Sequence, residues 1–210
     1  MNPTVLPIND INLFFTTNIV THFFWLGYYN AIMKISLTLI DDQYPKGGTP
    51  HKRIIARAIL FDEKGNICLH TVSRDDAFGK QTYFETPGGG IEKKETLVEG
   101  LLREIKEEVG CKAEILEELG VVKDSYNLIS RSNENHYFLA KVISFGENHL
   151  VSSGDLLIKE TKFYPPEDSI KLMESQEDSG VSILVKRREL PFLKLGKSRI
   201  GYYLNKKELK

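Results

Sequence analysis

Behind three consecutive glycines, Gly88, Gly89 and Gly90, the chain runs through IEKKETLVEGLLREIKEEVGC to Cys111, and this stretch dictates a turn followed by one amphipathic helix from about Thr96 to Val109. Pro87 and the glycines open the turn with backbone angles closed to other residues, and Gly110 stops the helix. At about 100° per residue, Glu107 falls roughly 60° to one side of Glu104 and Glu108 roughly 40° to the other, so three carboxylates share a face. Val98, Leu102, Ile105 and Val109 occupy a separate arc roughly 60° wide, which predicts the side turned to the core.

Glu104 and Glu108 are like charges at i,i+4, which costs a few tenths of a kcal/mol when both are merely solvated. A bound cation converts that cost into a gain, whereas the bland alternative is a solvated acidic face. Mg2+ prefers oxygen ligands and bridges carboxylates to substrate phosphates, where a metal screens charge and generates hydroxide from bound water. Arg103 offers a planar fork suited to a bidentate hold on a carboxylate. Gly100, four residues before Glu104, costs roughly 1 kcal/mol against Ala inside a helix. It reads as room for metal or phosphate, or else as neutral drift.

The spacing is Gly89, five residues, Glu95, seven residues, then Arg103-Glu104-Ile105-Lys106-Glu107-Glu108-Val109-Gly110-Cys111. It resembles the Nudix box: Gly, five of any residue, Glu, seven of any, Arg-Glu, an aliphatic, any residue, Glu-Glu, any residue, Gly and a final aliphatic. Every fixed position is met, Ile105 fits the internal aliphatic slot, and Cys111 is a small apolar residue where Ile, Leu or Val is usual. The resemblance is close over the box and looser from about His51 to Tyr164. It implies an α/β fold, a Nudix-type α/β/α sandwich with a mixed β-sheet between helices. It also implies an enzyme, a pyrophosphohydrolase that cuts a nucleoside diphosphate linked to another moiety (nucleotide sugar, dinucleoside polyphosphate or (d)NTP class) with the help of Mg2+ or Mn2+. By position, the metal ligands implied are Glu104, Glu107 and Glu108 with the Gly88 carbonyl, and Glu95 and Arg103 form the pair that orients them. The alternative from a different class is a catalytically idle Nudix-like module that senses a nucleotide or binds RNA; the intact acidic triad speaks for the enzyme.

Phosphoanhydride hydrolysis needs a group that positions or deprotonates water. Glu107 or Glu108 fits, and in other family members a loop carboxylate does this, for which Glu147, Asp155 and Glu160 are the candidates. Arg57 and Arg74 are candidates to reach phosphate or base, and Tyr83, Phe84, Tyr126 and Tyr137 to stack on a base, each against a plain role in the core. Marks that separate subfamilies are weak. The proline carried by many ADP-sugar hydrolases some fifteen residues past the box is absent, and Tyr126 stands there instead, as a tyrosine does in dinucleoside polyphosphate hydrolases.

Elsewhere the pattern predicts a hairpin of Ile54–Phe61 and Ile67–Ser73, a loop from Arg74 to Gln81, and strands over Ala113–Ser125, Asn135–Ile143 and Ile158–Tyr164. A short helix follows Pro165-Pro166. Strands, one helix, strands and a further helix suit a mixed sheet between helices. Three parts are expected: an apolar extension (1–32), the Nudix hydrolase domain (33–178) and a basic helix and tail (179–210) packed on it. From Ser179 to Lys210 nine Lys or Arg face Glu189 and Glu208, against a net charge of −1 for the whole chain. That stretch is available to phosphate or RNA, but also carries enough apolar residues to dock on the sheet, and the overall charge argues against nucleic acid as a partner.

With 41% hydrophobic residues the 210-residue chain can build a real core. Cys68 and Cys111 lack metal-ligand spacing and read as small hydrophobes in a reducing, cytoplasmic compartment. Residues 11–33 contain no Asp, Glu, Lys or Arg and are long enough for a bilayer, yet they carry Asn, Thr and His and lack the basic start of a signal peptide. Three readings stand open there: an extension outside the catalytic unit, with a second start at Met33; packing or a homodimer contact; or a membrane anchor.

Overall fold

The computed structural model describes residues 34–146 and 155–205. Their elements are β1 (Ile35–Thr38), β2 (His51–Phe61), β3 (Ile67–Asp76), β4 (Gly79–Glu85), β5 (Gly88–Gly90), α1 (Leu97–Val109), β6 (Cys111–Tyr126), β7 (Arg131–Phe145), β8 (Ile158–Tyr164), α2 (Pro166–Glu174) and α3 (Gly180–Asn205). The strands form one mixed sheet in the order β1-β6-β7-β2-β3-β4, with β5 paired to β2 and β8 to β3. β2 with β7 and β1 with β6 run parallel.

Side chains alternate along β2, and both faces are apolar, as befits a strand covered on both sides. Ile59 and Phe61 join Met173 of α2 and Phe192, Leu193 and Leu195 of α3. Ala56, Ala58 and Leu60 join Leu101 and Ile105 of α1 on the other face. The result is an α/β/α sandwich with the mixed sheet between helices. Cys68 and Cys111 are free and buried in the α1 layer.

The hairpin of β2 and β3 is closed only at its base, where Phe61 pairs with Ile67. The Asp62 carboxylate accepts the Lys64 and Asn66 N–H groups and fixes the turn (2.9 and 2.8 Å). Beyond the base the strands part: β2 takes β5 and β7 as partners, while β3 takes β4 and β8. The gap so opened is where the functional cavity lies.

Two local expectations need correction. The stretch from Arg74 to Gln81 is no loop: β3 continues to Asp76, whose carboxylate accepts the Phe78 N–H at 3.0 Å and turns the chain straight into β4. The short strand β1 went unread. The buried face of α1 is also rotated from the apolar arc. Leu101 and Ile105 are fully buried with Glu104 and Glu108 buried beside them, whereas Val98 is 39% exposed. On the helical wheel the buried arc runs from Gly100 through Glu104 and Glu108 to Ile105, roughly 140°. The acidic seam is therefore set against the sheet instead of standing opposite the core.

α3 carries the basic stretch, and its charges are engaged within the fold. Lys186 pairs with Asp178, Arg187 with Asp42, Lys194 with Glu174 and Lys197 with Glu167, and Arg188 is buried in a cluster described below. Among the described residues no helix is long and apolar enough to cross a membrane. The apolar run 11–33, and so the question of the first 32 residues, lies outside the described residues.

Candidate active site

α1 is started by a capping box. The Thr96 hydroxyl accepts the Glu99 N–H (3.2 Å) while the Glu99 carboxylate accepts the Thr96 N–H (2.9 Å), which satisfies two of the amides that a helix start leaves open. Gly110, at φ 69°, closes the helix in the left-handed region. Ahead of it, Gly88 has φ 132°, and a Cβ there would collide with the Ala56 carbonyl, so β5 lies flush on β2 only because this residue is glycine.

The Gly88 N–H donates to Glu108 Oε2 (2.8 Å), and the same oxygen lies 3.2 Å from His70 Nε2. His70 is 2% exposed, and its Nδ1 meets Thr161 Oγ1 at 2.8 Å. Arg103 gathers the rest. Its Nε and Nη2 hold both oxygens of Glu95 (2.8 and 3.0 Å), Nη1 reaches Glu104 Oε1 (2.9 Å) and Glu107 Oε2 (3.2 Å), and Nη2 also donates to the Gly90 carbonyl. The hydrogen bonds from Arg103 draw the Glu95 carboxyl down to about 2, and the same bonds hold the guanidinium well above its ordinary value.

Glu104, Glu107 and Glu108 line one cavity of about 520 Å3 together with Gly88, Gly89 and Gly90. Its walls also include Arg53, Arg57, Arg74, Arg103, Arg131 and Arg188, and an apolar side made by Val72, Phe78, Tyr83, Tyr126 and Ile158. The three carboxylates do not close into a cage by themselves: among the described residues no group of three or more His, Cys, Asp or Glu is disposed to hold a metal. Arg103 stands between Glu104 and Glu107, and Glu108 is turned to Gly88 and His70.

A second cluster sits on the inner wall. Arg188 of α3 is 1% exposed and meets Glu85 (2.8 Å), Glu189 (2.9 Å) and Asp124 (3.4 Å), and donates to the Tyr137 and Tyr126 hydroxyls (both 3.1 Å). Glu189 is fully buried and its Oε2 accepts the Thr86 N–H (2.7 Å). Arg57 pairs with Glu85 and lies 3.4 Å from Glu189, and it donates to the Thr86 carbonyl (3.0 Å). Burial pushes the phenols of Tyr83, Tyr126 and Tyr137 up, so all three remain protonated.

Of the residues marked from sequence, Glu95 and Arg103 are paired, and Glu104, Glu107, Glu108, Gly88, Arg57, Arg74, Tyr83 and Tyr126 all reach the cavity. Phe84 does not. It packs on the α3 side of the sheet against Tyr164, because neighbours on a strand face opposite ways and Tyr83 takes the cavity side. Tyr137 is fully buried, its ring stacked on Phe192 at 3.9 Å, and so closed to a base. Gly100 makes room for the box's own loop, not for a ligand: a Cβ would come within 2.6 Å of Ile91 Cδ1 and 3.0 Å of Glu95 Oε2. Glu160 is exposed and paired with Lys162 away from the cavity; Glu147 and the Asp155 side chain lie outside the described residues. Arg53, Arg131, His70, Arg188 and Glu189 were missed. A histidine in a strand and arginines scattered over β2, β7 and α3 carry no spacing signal, since only the sheet register brings them together.

A family model described as the NUDIX domain matches residues 51–183. No curated protein matches the sequence. Among solved structures, the chain is similar to a NUDIX hydrolase from Nitrosomonas europaea, with 16% identity, 59% of this chain and 79% of that chain covered, and a TM-score of 0.49. It is also similar to the MutT protein from Methanosarcina mazei Go1, with 19% identity, coverage of 75% and 98%, and a TM-score of 0.49.

Proposed function

The chain belongs to the NUDIX family, as a domain match over residues 51–183 establishes, and from that premise we propose that this pyrophosphohydrolase cuts the diphosphate of a nucleotide derivative with Mg2+ or Mn2+. The observation that carries the reading is the shared cavity: three carboxylates of α1, the glycine turn and six arginines line one space of about 520 Å3. That is within the usual range for a small-molecule site.

The donor set fits a hard divalent cation. Glu104, Glu107 and Glu108 offer oxygen ligands only, and the Gly88 carbonyl is assigned as a further one, which suits Mg2+ or Mn2+ and not a soft metal. Arg103 already serves as the internal cation between Glu104 and Glu107, and its bidentate anchor on Glu95 keeps it in place as those carboxylates take other partners. When bound, the cation supplies charge screening and a more acidic water. The remaining work belongs to side chains of the chain. Glu107 has the most accessible carboxylate of the three, with 26% of the side chain exposed against 11% for Glu104 and 8% for Glu108, and is assigned to take the proton of the attacking water. His70, fixed by Thr161, orients Glu108. Tyr83 and Tyr126 form the wall on which a base can rest.

The test is a panel of nucleotide derivatives with Mg2+ or Mn2+, scored for phosphate-bearing products. The parent is expected to turn over at least one member, and the Glu107→Gln chain to turn it over far more slowly; equal rates would remove Glu107 from the machinery.

A further inference from the structure

Of the six arginines that line the cavity, four are neutralised by carboxylates: Arg57 by Glu85, Arg74 by Asp76 at 2.6 Å, Arg103 by Glu95 at 2.8 Å and Arg188 by Glu85 at 2.8 Å. Arg53 and Arg131 make no ion pair among the described residues. They are neighbours all the same. In the parallel register of β2 and β7, Arg131 stands opposite His51 and Arg53 opposite Asn133, and residues two apart share a face, so the two guanidinium groups rise from adjacent strands on one side of the sheet.

Their surroundings suit an anion. Arg131 lies 5.2 Å from the Tyr126 ring centroid, and its Nε is buried with no hydrogen-bond partner. Burial, with the charges of Arg53 and Arg188 adding to it, pushes the Arg131 guanidinium below its ordinary value. Arg53 lies flat against Gly90, where a Cβ would come within 2.5 Å of Nη2. Two cations face one space, Arg53 exposed and Arg131 partly desolvated, and an anion held between them would offset their repulsion. Within the shared cavity the pair stands on the other side of the glycine turn from the acidic cluster. Gly89 faces the Glu104 carboxylate and Gly90 faces Arg53, and successive strand residues point to opposite sides.

We propose that Arg53 and Arg131 form an anion clamp for a phosphoryl group beyond the diphosphate that is cut, so that substrates with three or more phosphoryl groups are preferred over nucleoside diphosphates joined to an uncharged sugar. This rests on the pyrophosphohydrolase reading above for its meaning but is measured apart from it. The chemistry is that of a guanidinium pair holding phosphate oxygens through charge-assisted hydrogen bonds. The extra group is either the end of a nucleoside triphosphate or an inner phosphate of a dinucleoside polyphosphate.

The direct measurement is calorimetric titration of the full chain, in EDTA, with inorganic tripolyphosphate and with pyrophosphate. Arg53→Gln and Arg131→Gln are each expected to weaken tripolyphosphate binding about tenfold, the worth of one charge-assisted contact, and pyrophosphate binding by less than about threefold. Arg187→Gln, which removes an exposed guanidinium paired with Asp42 at 2.8 Å outside the cavity, is expected to change neither. Equal loss for both probes, or no loss, overturns the clamp. Turnover then separates the sources: a nucleoside triphosphate, a dinucleoside tetraphosphate and a nucleoside diphosphate sugar are compared by kcat/KM, with the first or second expected to lead and to lose about tenfold in either variant. A silent substrate panel alongside selective tripolyphosphate binding strikes the proposed reaction and spares the clamp. An active panel whose rates ignore both variants strikes the clamp alone.

Discussion

Two arginines each gather three carboxylates in this molecule, and they do so at opposite depths. Arg103 holds Glu95, Glu104 and Glu107 with 24% of its side chain exposed, while Arg188 holds Glu85, Asp124 and Glu189 with 2% exposed. Both clusters grip the same turn. Glu108, beside the first, takes the Gly88 N–H, and Glu189, in the second, takes the Thr86 N–H two residues earlier. Burial is what separates their roles. A cluster that water can reach can exchange partners, so carboxylates of the Arg103 group are able to trade part of the guanidinium for the proposed metal ion. In the buried cluster any lost partner leaves a charge stranded in low dielectric, so the Arg188 group can only hold the wall in place.

The largest effect expected from this contrast is on stability. Arg188→Ala leaves Asp124 without its guanidinium and Glu189 with Arg57 alone, and is expected to destabilise the fold by about 3 to 5 kcal/mol, read as a shift of the urea midpoint at unchanged slope. A loss under about 1 kcal/mol, the size seen for exposed pairs, would erase the distinction between the two clusters. Next comes Glu107→Gln, which is expected to cost about 100-fold in kcat, roughly 2.7 kcal/mol of barrier, while the urea midpoint stays close to that of the parent. Destabilisation without a rate effect would move the Arg103 cluster into the same class as the buried one.

The difference between the clusters is also a difference in what a sequence can reveal. Glu95, Arg103, Glu104 and Glu107 lie within thirteen residues, and a helix of fixed pitch turns their spacing directly into proximity. The capping box at Thr96 and the stop at Gly110 are legible for the same reason. Arg188 and Glu189 reach Glu85 and Thr86 across 103 residues, through the docking of α3 on the sheet, and no local period encodes that register. The strands themselves were readable from their alternation, but which strands meet was not. Thus Arg57 and Arg74 were singled out although carboxylates already neutralise them, and Arg53 and Arg131, brought side by side by the β2 and β7 pairing, went unnoticed. Phe84 and Tyr83 show the same limit at the smallest scale, since alternation says they face apart but not which of them faces the cavity. The rotation of α1 is a further case. Its apolar arc suggested Val98 and Leu102 for the core, but the hydrogen bonds of Glu108 to Gly88 and His70 turn the acidic seam inward, and Leu101 follows it.

Arg103→Lys sharpens the contrast further. Lysine keeps the charge but loses the planar fork, so Glu95 can no longer anchor the cation that separates Glu104 from Glu107. Mn2+ affinity, followed by electron paramagnetic resonance, is expected to fall about 10-fold to 100-fold, as when a partner that orients metal ligands is lost. Thermal stability is expected to change little, because the group is partly solvated. Unchanged Mn2+ affinity would mean that the fork does not position the carboxylates.

The smallest effect concerns Glu95 and acid. The Arg103 hydrogen bonds lower its carboxyl from 4.5 to about 2, so this group contributes stability that is fully present above about 4.5 and is lost as pH falls through about 2. The side chain is partly exposed, so the contribution is screened by solvent and small. Glu95→Gln is therefore expected to lower the urea midpoint slightly at neutral pH and to converge on the parent as the pH approaches the lowered value. A difference that persisted unchanged at that acid end would show that Glu95 acts by packing and not by charge. It would then belong with the buried cluster, where removing either partner is felt at any pH at which the fold survives, instead of with the exchangeable group around Arg103.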